Sequence, residues 1–211
     1  LDGTLVDSAA DIALSLNRAL ADLGLGAVTD AQVRDWVGRG AARLIEVALQ
    51  HVVPHHAQDP QKHAVETRLL AAFMARYQDS VCEASTVYPG VAEFVAAART
   101  AGIRLACVTN KPYRPAVALL EALNLLDAFE LVIGGDTLAH KKPHPEPLLH
   151  CLRHFEVTAA QALMIGDSRN DVDAAKAAGV KSLAVPYGYN HGEPIEACEP
   201  DRLVASLAEL I

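Results

Sequence analysis

The sequence predicts an α/β fold, with a parallel β-sheet flanked by helices on both faces and a helical block inserted near the start. Three observations predict it. Four short, nearly continuous apolar runs occur in the second half of the chain, each of strand length, as strands buried on both faces require. Segments with helical spacing alternate with these runs. Between Leu5 and about Tyr88 the chain shows helical spacing and no convincing strand.

The elements follow in order. Ser8-x-x-Asp11 resembles an acidic variant of the capping box, and Ile12, Leu16, Leu20 and Leu23 follow at helical spacing. The stretches "GAARLIEVALQ" and "KHAVETRLLAAFMARY" predict two further helices. Helical residues 9–83 thus separate residues 1–8 from an α/β portion over 84–211. In that portion "YPGVAEFVAAARTAG" places Val91, Phe94, Val95 and Ala98 on one face, with Gly102 just past the helix end. Strands are expected at Ile103–Val108, Glu130–Gly134, Ala162–Gly166 and Ser182–Pro186. Helices between and around them come from "RPAVALLEALN", with Pro115 in the first turn, "HPEPLLHCLRHF" and "DVDAAKAAG".

Composition narrows the function. A net charge of -8 argues against a nucleic-acid-binding surface. No apolar run is long enough to span a membrane. The four cysteines form no CxxC pair, and Cys107 lies within an apolar run, which predicts free thiols in a reducing, cytoplasmic setting. The nine histidines include "HVVPHH" and an i, i+4 pair, His150 and His154, but no HExxH, and read as surface residues. The chain is expected to be a monomer or homodimer.

Four stretches fall at or just beyond the C-terminal end of a strand, where open parallel sheets bind ligands. They are "LDGT" (1–4), "VTNK" (108–111), "KKPHPEP" (141–147) and "GDSRND" (166–171). Together they supply carboxylates, a hydroxyl, backbone N–H groups and a lysine, which suit phosphoryl transfer with a divalent metal.

In this order the four motifs resemble the haloacid dehalogenase-like superfamily, over essentially the whole chain. The resemblance implies a Rossmann-like parallel sheet core with an inserted helical cap. It also implies an Asp-x-Asp-Gly-Thr motif whose first Asp, the nucleophile, falls directly before Leu1 at the end of an upstream strand. Asp2 would be the general acid/base, its carbonyl reaching Mg²⁺. Thr109 and Asn110, with Gly3 and Thr4, would bind phosphate, and Lys142 would offset its charge, with Lys141 as competitor. Asp167 would ligate the metal directly. Asp171 would complete the metal site by orienting Lys142 or a bound water.

An acid at position 2 favours phosphatase over dehalogenase, since a halide needs no proton. "VRDWVGRGAARLIEVAL" and "VTNKPYRPAVALLEALNL" resemble the bacterial phosphoglycolate phosphatases, with Arg39 where Asn is commoner. The expected activity is hydrolysis of 2-phosphoglycolate through an aspartyl-phosphate. The alternatives are a phosphatase of other small phosphate esters, a phosphosugar mutase, or a non-catalytic metal- or phosphate-binding protein should the nucleophile be absent. The substrate carboxylate would be read by Arg39 in the loop, by Arg43 in the first turn of the following helix, or by that helix's N–H groups.

Overall fold

Helix formation begins where small and large apolar residues alternate with a period near 3.6. The computed structural model describes residues 1–58 and 60–211. After a two-residue strand β1 (Val6–Asp7), the chain forms α1 (Ala9–Asp22), α2 (Asp30–Trp36), α3 (Ala41–Val52) and α4 (Lys62–Asp79). α1 buries Ala9, Ile12, Ala13, Leu16, Ala19 and Leu20, and its alanines let α4 approach closely with Leu69, Phe73 and Tyr77. α3 adds Leu44, Ile45, Ala48 and Leu49 to the same core. Each fully buried Leu stabilises this unit by roughly 1.5–3 kcal/mol relative to exposure. Thr29 and Gln32 form a reciprocal capping box at the start of α2.

The capping box expected at Ser8 and Asp11 does not form. Ser8 stands at the N-cap position, but its side chain makes no cap bond. Instead Tyr189 Oη accepts from the Ser8 and Ala9 backbone N–H groups, at 3.0 and 3.1 Å. The Ser8 N–H that Asp11 would cap is thus satisfied from elsewhere, which leaves the Asp11 carboxylate free, and the Ser8 hydroxyl donates to Asp2 Oδ1 at 2.6 Å. Asp11 accepts from Ala84 N (2.8 Å), Ser85 N (2.7 Å) and Ser85 Oγ (2.5 Å).

A second two-residue strand, β2 (Thr86–Val87), pairs antiparallel with β1. The two connections between the helical unit and the rest of the chain therefore run side by side. Neither strand was expected, because two residues are too few to show an alternating pattern. The α/β portion continues with α5 (Val91–Thr100), β3 (Ala106–Val108), α6 (Tyr113–Ala122), β4 (Leu131–Ile133), α7 (Glu146–Phe155), β5 (Leu163–Gly166), α8 (Arg169–Ala178), β6 (Lys181–Ala184) and β7 (Arg202–Leu203). Among the described residues, β3 pairs in parallel with β4, and β5–β6–β7 form a parallel three-stranded ladder. The strands are shorter than the apolar runs that predicted them. β7 went unread because its exposed Arg202–Leu203 pair is not an apolar run.

Parallel pairing aligns the C-terminal ends of these strands. Thr109 follows β3, Gly134 follows β4 and Asp167 follows β5. The opening residues lie against both ladders: Leu1 packs with Cys107, and Thr4 donates to Asp167.

Candidate active site

Residues from the four motifs line one small cavity of about 70 Å³ between the strand ends and the helical unit. Asp2, Thr4, Thr109, Asn110, Lys142, Asp167 and Asp171 all border it. Gly3 sits at φ 82°, and a Cβ there would come within 2.2 Å of Asp167 Oδ2, so the opening turn and the Asp167 loop need a glycine at their contact.

Asp167 is buried. Its Oδ1 accepts from Thr4 Oγ1 at 2.5 Å and its Oδ2 from Tyr189 N at 2.7 Å. Burial and the neighbouring Asp171 push its carboxyl up to about 7. Asp171 has the opposite tendency. Burial raises its pKa, but Lys142 and the hydrogen bond from Ser168 outweigh that and hold it below the usual range. Lys142 Nζ donates to Asp171 Oδ1 and to Val108 O, both at 2.6 Å. The other Asp171 oxygen accepts from Asp167 N, Ser168 N and Ser168 Oγ. Both oxygens are thus engaged, which suits Asp171 to orienting Lys142 rather than to direct ligation.

Asp2 is held from two sides, by Ser8 Oγ and by Lys111 Nζ, the latter at 2.9 Å. Burial raises its pKa; the Lys111 ammonium and the two hydrogen bonds outweigh that, leaving it lowered. Within this cluster the carboxylates Asp2, Asp167 and Asp171 face two ammonium groups, Lys111 and Lys142. The surplus negative charge sits on Asp167, whose hard oxygen donors and raised pKa fit a divalent cation such as Mg²⁺.

Thr109 Oγ1 accepts from Lys111 N at 3.1 Å and keeps its own proton to donate. Asn110 Nδ2 donates to Lys142 O (2.9 Å) and to Gly38 O (3.0 Å), so it joins the phosphate-side loop to the helical unit. Further contacts close the same seam: Asn170 Nδ2 to Gly38 O (3.3 Å), Lys141 Nζ to Arg39 O (2.9 Å) and His191 Nδ1 to Asp35 O (3.1 Å). Gly38 and Gly40 have φ of 113° and 91°. That path turns the loop's carbonyls toward the core and leaves the Arg39 side chain exposed.

The two arginines are therefore not gathered with the other residues. Arg39 is exposed, Arg43 is half-buried and paired with Glu46 at 2.5 Å, and neither is among the described residues lining the cavity. Of the histidines, His56 corrects the surface reading: it is 2 % exposed and bonds Glu66 at 3.1 Å. The four cysteines are free, with Cys107 and Cys198 buried. Among the described residues, no helix is long and apolar enough to cross a membrane.

Sequence reasoning passed over Ser8, Lys111, Tyr77 and Tyr189. Lys111 lay inside a quoted motif, yet a lone lysine looks like a solvated charge. Ser8 had the appearance of a helix cap. The two tyrosines reach the site from distant segments, which no local pattern signals.

A family model described as haloacid dehalogenase-like hydrolase matches residues 1–185. A phosphoglycolate phosphatase of Nitrosococcus oceani is 43% identical over 210 residues, covering 100% of this chain and 92% of that protein. The crystal structure of a predicted phosphoglycolate phosphatase from Haemophilus somnus superposes with a TM-score of 0.90 at 34% identity, covering 100% of this chain and 93% of that one. CbbY from Rhodobacter sphaeroides, crystallised with xylulose-(1,5)bisphosphate, superposes with a TM-score of 0.81 at 28% identity, covering 100% and 93%.

Proposed function

This chain belongs to the haloacid dehalogenase-like hydrolase family, and within it we propose a Mg²⁺-dependent phosphatase that converts 2-phosphoglycolate to glycolate and inorganic phosphate. It is a phosphoric monoester hydrolase by its full-length similarity to phosphoglycolate phosphatases. The observation that carries the finer reading is the convergence of Asp2, Thr109, Lys142, Asp167 and Asp171 on one small cavity.

In this reading residues 9–83 act as a cap over a core made of 1–8 and 84–211. In this family mechanism an aspartate attacks phosphorus, and the aspartyl-phosphate forms as the leaving oxygen departs. Thr109 Oγ1, with its free proton, and the Asn110 loop hold phosphate oxygens. Lys142, oriented by Asp171, offsets the charge that builds on them. Asp2 protonates the leaving oxygen, then takes a proton from the water that hydrolyses the aspartyl-phosphate. Ser8 and Lys111 orient the Asp2 carboxyl and favour its ionised form, the form that takes the proton from water. Asp167, with the Asp2 carbonyl, would hold Mg²⁺, which supplies a Lewis acid on a phosphate oxygen. The cap seam, closed by Asn110, Asn170 and Lys141, excludes bulk water. The free thiols accord with a cytoplasmic enzyme.

The test is phosphate release by the purified protein from a panel of small esters, with and without Mg²⁺. Preference for 2-phosphoglycolate, with no requirement for a bisphosphate activator, is the expected result. Interconversion of sugar phosphates without phosphate release would instead make it a mutase.

A further inference from the structure

The substrate carboxylate must be recognised by something other than the phosphate site, and the cavity holds a positive group that the phosphate site does not use. Lys111 is 8 % exposed and lines the cavity. Its ammonium has three donors. Among the described residues one of them reaches an acceptor, Asp2 Oδ1, and the ammonium lies over the face of the Tyr77 ring, 4.5 Å from its centroid. Tyr77 itself comes from α4, on the opposite wall. It is 2 % exposed, lines the same cavity, and its hydroxyl faces the Lys111 ammonium, which can only donate, so the phenol proton has no acceptor among the described residues. A buried phenol without an acceptor is costly unless a ligand supplies one. Ile12, Val37, Leu44, Phe73 and Met74 make the rest of that wall apolar, so an anion there has few competitors for these donors.

Chemistry fixes which end of the substrate lies here. Asp2 must face the leaving oxygen in order to protonate it. Lys111 Nζ is 2.9 Å from Asp2 Oδ1 and so flanks the leaving group, while Lys142 is committed to Asp171 beside Thr109. In a 2-phospho acid the carboxylate carbon is separated from the leaving oxygen by a single methylene.

Resting on the 2-phosphoglycolate reading, we propose that Lys111 and Tyr77 form the subsite that reads the carboxylate of the leaving group. Lys111 supplies charge and Tyr77 a directional hydrogen bond. Because Tyr77 belongs to α4 and Lys111 to the loop after β3, the subsite is complete when the helical unit is seated on the core. Arg39 and Arg43 lie outside it.

The experiment compares kcat/KM for 2-phosphoglycolate with that for ethyl phosphate, which carries a methyl group where the acid has its carboxylate. Inhibition by glycolate and by inorganic phosphate is measured beside it. Tyr77→Phe removes one oxygen and keeps the ring against Phe73, so folding is spared. Its preference for the acid over ethyl phosphate is expected to fall about tenfold, and that of Lys111→Met about a hundredfold, as loss of a charge-assisted bond predicts. Glycolate inhibition should weaken in parallel, while phosphate inhibition should hold. Since Lys111 also touches Asp2, the ratio between substrates, not the absolute rate, is the readout. An unchanged ratio in both variants overturns the subsite, as does a collapse in Arg39→Ala alone. A wild-type protein that does not prefer 2-phosphoglycolate overturns the functional reading instead. Glycolate inhibition of Tyr77→Phe then still decides whether a carboxylate binds at this subsite.

Discussion

Asp167 is a carboxylate that burial and Asp171 push up to about 7 from the ordinary 3.8. Its folded value lies above its unfolded one. Its contribution to stability is therefore complete below about pH 4 and is lost as pH rises through about 7. A divalent cation competes with that proton and removes the penalty. In chelator, the thermal midpoint is expected to fall between pH 4 and 7 more steeply than in Asp167→Asn. Added Mg²⁺ should raise it more at pH 8 than at pH 5, and equal Mg²⁺ shifts at the two pH values would count against Asp167 as the ligand. Asp167→Asn should also lower turnover by roughly 10²-fold, the scale of one lost electrostatic contact in a dry site. This residue was legible because "GDSRND" follows an apolar strand. Lys111 was not, because its meaning depends on Asp2, which is 109 residues away in sequence. Patterning cannot show a distant carboxylate that turns a solvated charge into a buried one.

At the scale of elements, the periodicity of α1, α3 and α4 was legible because each buries one face at 3.6-residue spacing. Leu16 is fully buried among them, and Leu16→Ala should cost about 2–5 kcal/mol in urea-denaturation free energy. The β1–β2 ribbon was not legible, since its pairing of Val6 with Val87 and Asp7 with Thr86 rests on tertiary contacts. Asp11 is the fastener of that ribbon, taking three hydrogen bonds from Ala84 and Ser85 where the chain returns from α4. Asp11→Ala leaves the two Ser85 donors buried without an acceptor. It should destabilise by on the order of 3 kcal/mol and, unlike Leu16→Ala, should speed amide exchange at residues 84–87. Exchange unchanged there would mean that the ribbon holds without its carboxylate.

For the molecule as a whole, the seam between the helical unit and the core combines hydrogen bonds to the carbonyls of Asp35, Gly38 and Arg39 with the Arg34–Asp7 ion pair. Each such bond contributes roughly 0.5–1.5 kcal/mol, and the half-exposed ion pair contributes less. Contacts of this strength, taken one at a time, are weak enough to break and re-form. Two adjacent lysines divide the labour on one loop. Lys142 points inward to Asp171, whereas Lys141 points across the seam to Arg39 O. The motif "KKPHPEP" offered both to the site, and the family resemblance chose Lys142, the lysine directly before the proline; the seam contact of Lys141 was not legible, since it is a matter of direction. The loop opposite is shaped to receive Lys141, because a Cβ on Gly40 would come within 2.6 Å of its ammonium. Lys142→Met should lower turnover to a few per cent of wild type or less and leave the seam closed. Lys141→Met should leave the chemistry intact but loosen the seam. Amide exchange over residues 38–41 should then rise severalfold, KM for 2-phosphoglycolate should rise about threefold to tenfold, in line with loss of one charged hydrogen bond, and single-turnover chemistry at saturation should change little. Gly40→Ala should reproduce the Lys141→Met profile, since it displaces the same ammonium and strains a left-handed turn. If Lys141→Met instead lowers saturated single-turnover chemistry as Lys142→Met does, the ammonium belongs to the reacting centre and not to the seam.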